Sequence, residues 1–200
     1  MKKILAIIAA TALLLTGCSQ VGAAATVGGT KITQATVQGS IDSILSERGK
    51  VDTSQMQLET GEALNRSQLR FHLFSQILRA IGEEIKIEVT KAEIDTRRAS
   101  ILEQVGGAAA LPSALVGAGI APEDLDTYIE AISYSEKISQ ALIAAGATED
   151  QVGQEIQKLV VAKSKELGVT INPRYGKWNA ETADIEASDS ASSAVTPSGN

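Results

Sequence analysis

The chain has 200 residues, a formal net charge of −6 and a single cysteine. Because an acidic protein is repelled by the phosphate backbone, we do not expect it to bind nucleic acid. Apolar residues make up 44% of the sequence but aromatic residues only 3%. That balance favours a helical core of small aliphatic side chains over a deep aromatic ligand pocket.

The first residues have the layout of a secretory signal. Lys2 and Lys3 are positively charged, and residues 4–15 are an apolar run that is too short to span a bilayer. The run leads into Leu-Thr-Gly-Cys, which resembles the lipobox of bacterial lipoproteins. This resemblance implies cleavage between Gly17 and Cys18 and attachment of diacylglycerol to the Cys18 thiol. The alternatives are a plain signal peptide with an accidental cysteine, or a buried apolar cysteine in a soluble protein.

Lipidation of Cys18 would anchor the protein to the extracytoplasmic face of the cell membrane. Each buried methylene contributes about 0.8 kcal/mol, so two or three acyl chains make the tether essentially permanent. The mature chain would retain no thiol for a disulfide or a metal site. Loss of Lys2 and Lys3 leaves 16 basic and 24 acidic residues, a net charge of −8, so the membrane is expected to be an anchor site and not a substrate.

In chain order, two short strands are predicted around the Gly-Gly turn of residues 27–32. Thr33 is predicted to cap a helix over 34–47, and residues 48–61 a loop. The helix over 62–84 has the strongest pattern, since its apolar side chains cover an arc of about 200°. So wide an arc predicts a central helix that is contacted from more than one side.

Further helices are predicted along the rest of the chain. Thr90 and Glu93 form a capping box at the start of a helix that ends at Gly106. A short Ala-rich helix is predicted over 108–116, unless Pro112 breaks it. The later predicted elements are a helix from about 122 to 145, a helix from Thr148 to 167 and β-type residues over 169–171.

Several segments recur in an order and spacing that are fairly specific. They are VGGTKIT at 27–33, residues 65–81, IEVTKAEI at 87–94, GIAPEDL at 119–125 and VTINPRYGKW at 169–178. Together they resemble the SurA N-terminal domain family, over about residues 24–179. The last segment is similar to the closing segment of lipoprotein members.

The resemblance implies a mainly α fold, a helical domain with a small β-sheet formed by its N- and C-terminal ends. A third strand over 169–171 would complete the sheet, because a two-stranded hairpin alone is marginal. We interpret the closing segment as a structural clasp in which Gly176 turns the chain so that Trp178 packs on the body. The clasp residues are Asn172, Pro173, Arg174, Tyr175, Gly176 and Trp178.

Composition divides the chain into four parts. The predicted parts are a lipoprotein signal peptide (1–17), a lipidated tether (18–25), a SurA N-like helical domain (26–179) and a disordered acidic tail (180–200).

Catalysis is not expected. The foldases SurA and PrsA carry an inserted parvulin prolyl-isomerase domain of about a hundred residues, whereas residues 144–147 alone separate the last two predicted helices. His72 is the sole histidine and is predicted to be a solvated surface residue. A scattered Ser-His-Asp site stays open on sequence alone. Acidic residues at 83–84 and 124–126 are interpreted as solvated helix charges, so neither a metal nor a cofactor is predicted.

The predicted function is that of a chaperone-like lipoprotein that binds unfolded or newly exported polypeptides without catalysis. The alternative is an envelope adaptor or assembly lipoprotein that binds one specific protein; a degenerate isomerase is disfavoured. The sequence leaves the oligomeric state open. Candidate walls of a polypeptide-binding groove are Leu111, Leu115, Val116, Tyr128 and Tyr134.

Overall fold

The computed structural model describes residues 21–188 of the chain. The strands are β1 (Ala23–Val27), β2 (Thr30–Thr33), β3 (Thr170–Ile171), β4 (Lys177–Asn179) and β5 (Asp184–Glu186). The helices are α1 (Gln34–Arg48), α2 (Gly61–Glu84), α3 (Lys91–Gln104), α4 (Leu111–Ala118), α5 (Leu125–Ala144) and α6 (Glu149–Leu167). The predicted signal peptide, its cleavage site and Cys18 lie outside the described residues, as do residues 189–200.

The two ends of the domain form one small antiparallel sheet of order β2-β1-β3. Thr26 of β1 is opposite Thr170 of β3, and the two side-chain hydroxyls are hydrogen-bonded at 2.6 Å. The predicted mainly α fold with a terminal sheet is therefore confirmed. The predicted tether is too long, because Ala23–Ala25 belong to β1 and are at most 5% exposed. Their small side chains let β1 lie close to α2.

Helix α2 is the centre of the fold, as its wide apolar arc predicts. Leu69, Leu73 and Ile77 are completely buried. The helix packs against α1, α5, α6 and β1, so it is contacted on several sides. These residues belong to a large continuous cluster, here called the main core, which joins the sheet to α1, α2, the second half of α5 and α6.

Helices α1 and α3 begin at the predicted capping residues. The Thr33 hydroxyl accepts a hydrogen bond from the Thr36 N–H at 2.9 Å, and Thr90 and Glu93 form the predicted capping box. The short helix α4 begins three residues later than predicted. Pro112 does not break it but lies in its first turn, where the missing N–H would have no helical partner.

The clasp ties the C-terminal segment to the start of β1. The Asn172 backbone N–H donates to the Ala24 carbonyl at 2.8 Å, and its side-chain amide donates to the Ala23 carbonyl at 3.3 Å. The Arg174 guanidinium donates to the side-chain oxygen of Gln34 at 3.1 Å. Tyr175 is buried in the main core.

The predicted disordered tail is wrong for residues 180–188. Strands β4 and β5 form an antiparallel hairpin, in which Ile185 is opposite Trp178. Ile185 is only 3% exposed, and Arg70 forms an ion pair with Asp184 at 2.5 Å. Gly176 has a φ of +130° and lies so close to β5 that an added Cβ would be 2.2 Å from the Glu186 carbonyl oxygen. Because the segment is acidic, its composition does not predict that Ile185 is buried.

A second, smaller apolar cluster lies under α3, α4 and the first half of α5, here called the outer lobe. Only Leu115, Leu125 and Ile129 are buried in it. Helix α3 has no buried residue and lies against α5. None of the helices in residues 21–188 combines the length and apolar character needed to cross a membrane.

Candidate functional site

A cleft of about 180 Å³ opens between the main core and the outer lobe. Helix α2 supplies its first wall, through Ser67, Gln68 and Phe71. The turn after α4 and helix α5 supply the opposite wall. The residues on that side are Ala118, Gly119, Ile120 and Tyr128, and Glu59 closes one end.

Gln68 fixes the distance between the two walls. Its side-chain amide donates to the Gly119 carbonyl at 2.9 Å, and the residue is only 3% exposed. Gly119 has a φ of +66°, a left-handed conformation that ends α4. The Ile120 N–H then donates back to the Leu115 carbonyl at 3.0 Å, which turns Ile120 towards the cleft.

A second cleft, of about 260 Å³, adjoins the first at Glu59, Ala118 and Gly119. The loop after α1 forms its outer side. Arg48 holds this loop by donating from Nη1 to the Glu59 carbonyl at 2.7 Å. Its Nε is buried and has no hydrogen-bond partner within the described residues. The two clefts together are here called the Gly119 groove.

Only part of the predicted groove wall lies in this groove. Tyr128 is half-buried and lines it. Leu111 is half-buried against the small cluster of the outer lobe. Val116 borders the second cleft, but it and Leu115 are buried at 1% and 6% exposure.

The prediction for Tyr134 is also wrong, because its side chain is not accessible to a bound polypeptide. Its ring packs against Gly82 of α2, where an added Cβ would be 2.4 Å from the tyrosine ring. Burial raises the pKa of its hydroxyl, and the neighbouring Glu130 adds to that effect. Leu115, Val116 and Tyr134 are therefore packing residues, and the prediction that they form an accessible wall is wrong.

Three residues of the groove, Phe71, Gln68 and Ile120, do not follow from the sequence pattern. Phe71 lies at the edge of the apolar arc of α2, and that arc favours a place in the core, although the residue is only half-buried. Gln68 is polar, and nothing in the sequence indicates that its side chain contacts the turn at Gly119. Ile120 follows Gly119, and the glycine signals a turn, but nothing in the sequence indicates that the turn faces α2.

A buried polar network lies at the junction of α1, α2 and the 3₁₀ turn Pro122–Asp124. The Ser40 hydroxyl donates to Asp124 Oδ2 at 2.5 Å. Because its hydrogen is used there, the Ser40 oxygen accepts from the N–H of His72 Nε2, at 3.0 Å. The prediction of a solvated surface histidine is wrong, since His72 is 8% exposed, and Asp124 is also buried, at 9%. Burial lowers the pKa of His72, although the Asp124 charge opposes the shift.

These three residue types are those of a nucleophilic triad, but their arrangement differs from one. In a triad, serine and aspartate bind opposite nitrogens of the imidazole. Here Asp124 Oδ2 is 3.9 Å from Nε2, the same nitrogen that contacts Ser40. Ser40 is 3% exposed and its hydroxyl is directed at the carboxylate. The network therefore joins three elements and does not present a nucleophile.

Two of the other acidic residues named above are paired with cations. Glu84 forms an ion pair with Lys163, and Asp126 forms one with Arg98. Hydrogen bonds with Glu166 and then Glu84 raise the pKa of Lys163. Within residues 21–188, no group of three or more His, Cys, Asp or Glu side chains is placed to hold a metal ion.

We compared the chain with models of protein families, with curated proteins and with solved structures. None of the three comparisons found a match. The resemblance to the SurA N-terminal domain family therefore depends on the sequence segments quoted above and stays a prediction.

Proposed function

We propose that the protein is a membrane-anchored, extracytoplasmic, chaperone-like lipoprotein that binds unfolded or newly exported polypeptides in the Gly119 groove. The observation that carries the proposal is the composition of this groove. Phe71, Ile120 and Tyr128 give it apolar walls that are only half-buried. An open apolar surface of this kind, bordered by polar groups, is typical of polypeptide-binding sites.

The size of the groove suits side chains of a bound polypeptide. The first cleft, of about 180 Å³, is smaller than the 300–1,000 Å³ that drug-sized ligands occupy. It has room for one or two apolar side chains at a time. Glu59 and Ser67 at the edge supply oxygen atoms that backbone N–H groups of an extended segment can bind. Few contacts per segment predict weak, reversible binding with little sequence preference.

The position of the groove also agrees with a tethered chaperone. The first residue of α1 donates its N–H to the Gly22 carbonyl, next to the point where the N-terminal chain enters the fold. The last residue, Arg48, holds the loop that borders the groove. Helix α1 has 15 residues and is therefore about 22 Å long. An anchor at Cys18 would thus lie near the first residue of α1, whereas the groove opens near its last residue.

The test is a light-scattering assay of aggregation with several unrelated unfolded proteins as clients. The mature chain (18–200) with Cys18→Ser is used, to keep it free of detergent. We expect suppression with most clients. Ala118→Trp fills the groove from an exposed position without removing a core contact, and it should reduce suppression about fivefold, the effect of losing roughly 1 kcal/mol.

The matched control is the double variant Leu45→Ser and Ile143→Ser. Both residues are exposed aliphatic side chains, at 49% and 46%, that lie outside the groove. The control should suppress aggregation as well as the wild type. Unchanged suppression by Ala118→Trp would show that the groove is not the site. No suppression with any client, together with binding of a single envelope protein, would favour the adaptor.

A further inference from the structure

Cations without an acidic partner are concentrated at one end of the molecule. Of the 16 Lys and Arg residues in 21–188, 11 form ion pairs with Asp or Glu. The described residues offer no such partner to the other five, which are Lys31, Arg48, Lys86, Arg174 and Lys177. Three of these five belong to the strands and the clasp: Lys31 lies in β2, Arg174 in the clasp and Lys177 at the start of β4.

Lys31 is held beside the incoming N-terminal chain. Its ammonium group donates to the Val21 carbonyl at 2.5 Å. Two residues separate Val21 from Cys18, so their Cα atoms are at most about 11 Å apart even in a fully extended chain. Because the Val21 carbonyl oxygen is itself about 2.4 Å from the Val21 Cα, the Lys31 ammonium group must lie within about 16 Å of the Cys18 Cα, whatever path the intervening residues take.

Arg174 is held at the same place through Gln34. The Gln34 side chain donates to the Ala23 carbonyl at 3.3 Å and accepts from the Arg174 guanidinium at 3.1 Å. The guanidinium also lies 5.3 Å from the centre of the Tyr175 ring. These contacts use neutral groups, so the positive charge of Arg174 is not cancelled locally.

Two neighbouring residues extend this surface. Lys177 is exposed, although Glu186 is opposite it on β5 and offsets part of its charge. Trp178 is half-buried and is the sole tryptophan of the chain. Val21 is 76% exposed. The anchor rim is defined here as Val21, Lys31, Arg174, Lys177 and Trp178.

We propose that the anchor rim lies on the membrane and binds the headgroups of anionic phospholipids. The inference rests on the lipid anchor of the proposed function. A cation next to an anionic bilayer gains roughly fivefold in binding. The exposed side chain of Val21 and the accessible part of Trp178 also favour the interface. Residues 21–188 include 23 acidic and 16 basic residues. The surface outside the rim is therefore negatively charged overall, and an anionic bilayer repels it. The rim therefore faces the bilayer, and the Gly119 groove faces away from it.

The fluorescence of Trp178 reports this orientation directly. The lipidated full-length mature protein is reconstituted into vesicles of phosphatidylcholine, with or without phosphatidylglycerol, that contain a headgroup-labelled quenching lipid. We expect Trp178 of the wild-type protein to be quenched about twofold more strongly in the membrane that contains phosphatidylglycerol. High salt should remove this difference between the two membranes. The double variant Lys31→Gln and Arg174→Gln should be quenched equally in both membranes.

The matched control is Lys50→Gln with Lys158→Gln, which removes two exposed cations outside the rim. Its Trp178 quenching should equal that of the wild type in both membranes. Thermal unfolding followed by circular dichroism establishes that both double variants are folded. Equal quenching of the wild type in the two membranes would refute the rim while leaving the anchor intact. A wild-type protein that does not fractionate with membranes, and carries no lipid label, would refute the anchor itself and the rim with it.

Discussion

The main core and the outer lobe are held together by different forces. Helix α2 of the main core buries Leu69, Leu73 and Ile77 completely. Helix α3 of the outer lobe buries no residue, and it is attached to α5 through charged side chains, including the Arg97–Glu136 ion pair. The main core is thus stabilised chiefly by buried apolar side chains. The outer lobe is stabilised chiefly by half-buried apolar side chains and by ion pairs at the surface.

This difference determines which region opens first. Burying a large aliphatic side chain contributes about 1.5–3 kcal/mol, whereas an exposed ion pair contributes about 0.2–1 kcal/mol. Local opening therefore costs less free energy in the outer lobe than in the main core. The Gly119 groove lies on the boundary, with Phe71 on the stable side and Ile120 and Tyr128 on the side that moves more easily. Under the proposed function, a small displacement of the lobe would widen the groove for different clients.

The largest expected effect comes from a cavity in the main core. Leu73 is completely buried at the middle of α2, so Leu73→Ala should lower the free energy of unfolding by about 3 kcal/mol. Ile101→Ala in the outer lobe removes a half-buried side chain and should cost about 1 kcal/mol. Urea unfolding followed by circular dichroism measures both. Equal losses for the two variants would contradict the comparison.

The second prediction concerns pH and the junction of the two regions. Burial lowers the pKa of His72 below the ordinary value of 6.5, and Asp124 is the charged group that faces it. Because the folded protein resists protonation of His72, the stability present above pH 6.5 should decline as the pH falls towards the lowered folded-state pKa. The loss can reach at most about 1.4 kcal/mol for each pH unit within that window.

Urea unfolding well above and well below pH 6.5 measures this loss. His72→Gln keeps a side chain that can donate to Ser40 but cannot titrate. Its stability should change less than that of the wild type across the same window. An identical pH dependence in the variant would show that other groups are responsible.

Sequence patterns predicted the elements of the main core well, for physical reasons. The arc of α2 is specified by its own residues, and the caps at Thr33 and Thr90 are local hydrogen bonds. The hairpin of β4 and β5 was missed because Ile185 is a single apolar residue in an acidic segment. Its burial depends on contacts with the main core, including Trp178, and local composition does not reveal such contacts.

The groove was predicted less well because its walls come from distant parts of the chain. Tyr128 was identified, but Gln68 is 51 residues and Phe71 is 48 residues before Gly119, in the turn that they face. His72 illustrates the same difficulty. Its helical position places it on the polar face of α2, and only the fold reveals that Ser40 and Asp124 cover it.

The smallest expected effect is confined to the first turn of α3. Glu93 accepts hydrogen bonds from the Lys137 ammonium group at 2.6 Å and from the Thr90 backbone N–H at 2.7 Å. These bonds, with that of Lys137 the most important, lower the pKa of Glu93 to about 2. The folded-state pKa is therefore below the ordinary value of 4.5, so the stability that Glu93 contributes is present above pH 4.5 and is lost as the pH falls to about 2.

Lys137→Gln should raise the pKa of Glu93 towards 4.5, as measured by an NMR titration of the carboxyl group. Hydrogen exchange of the α3 amides should become faster in this variant, since Lys137 also holds the Glu88 carbonyl at 2.6 Å. The amides of α2 serve as the internal control and should exchange at the wild-type rate. Faster exchange in α2 as well would mean that the lobe and the core open together, as one cooperative unit. In that event the groove could not widen by movement of the outer lobe alone.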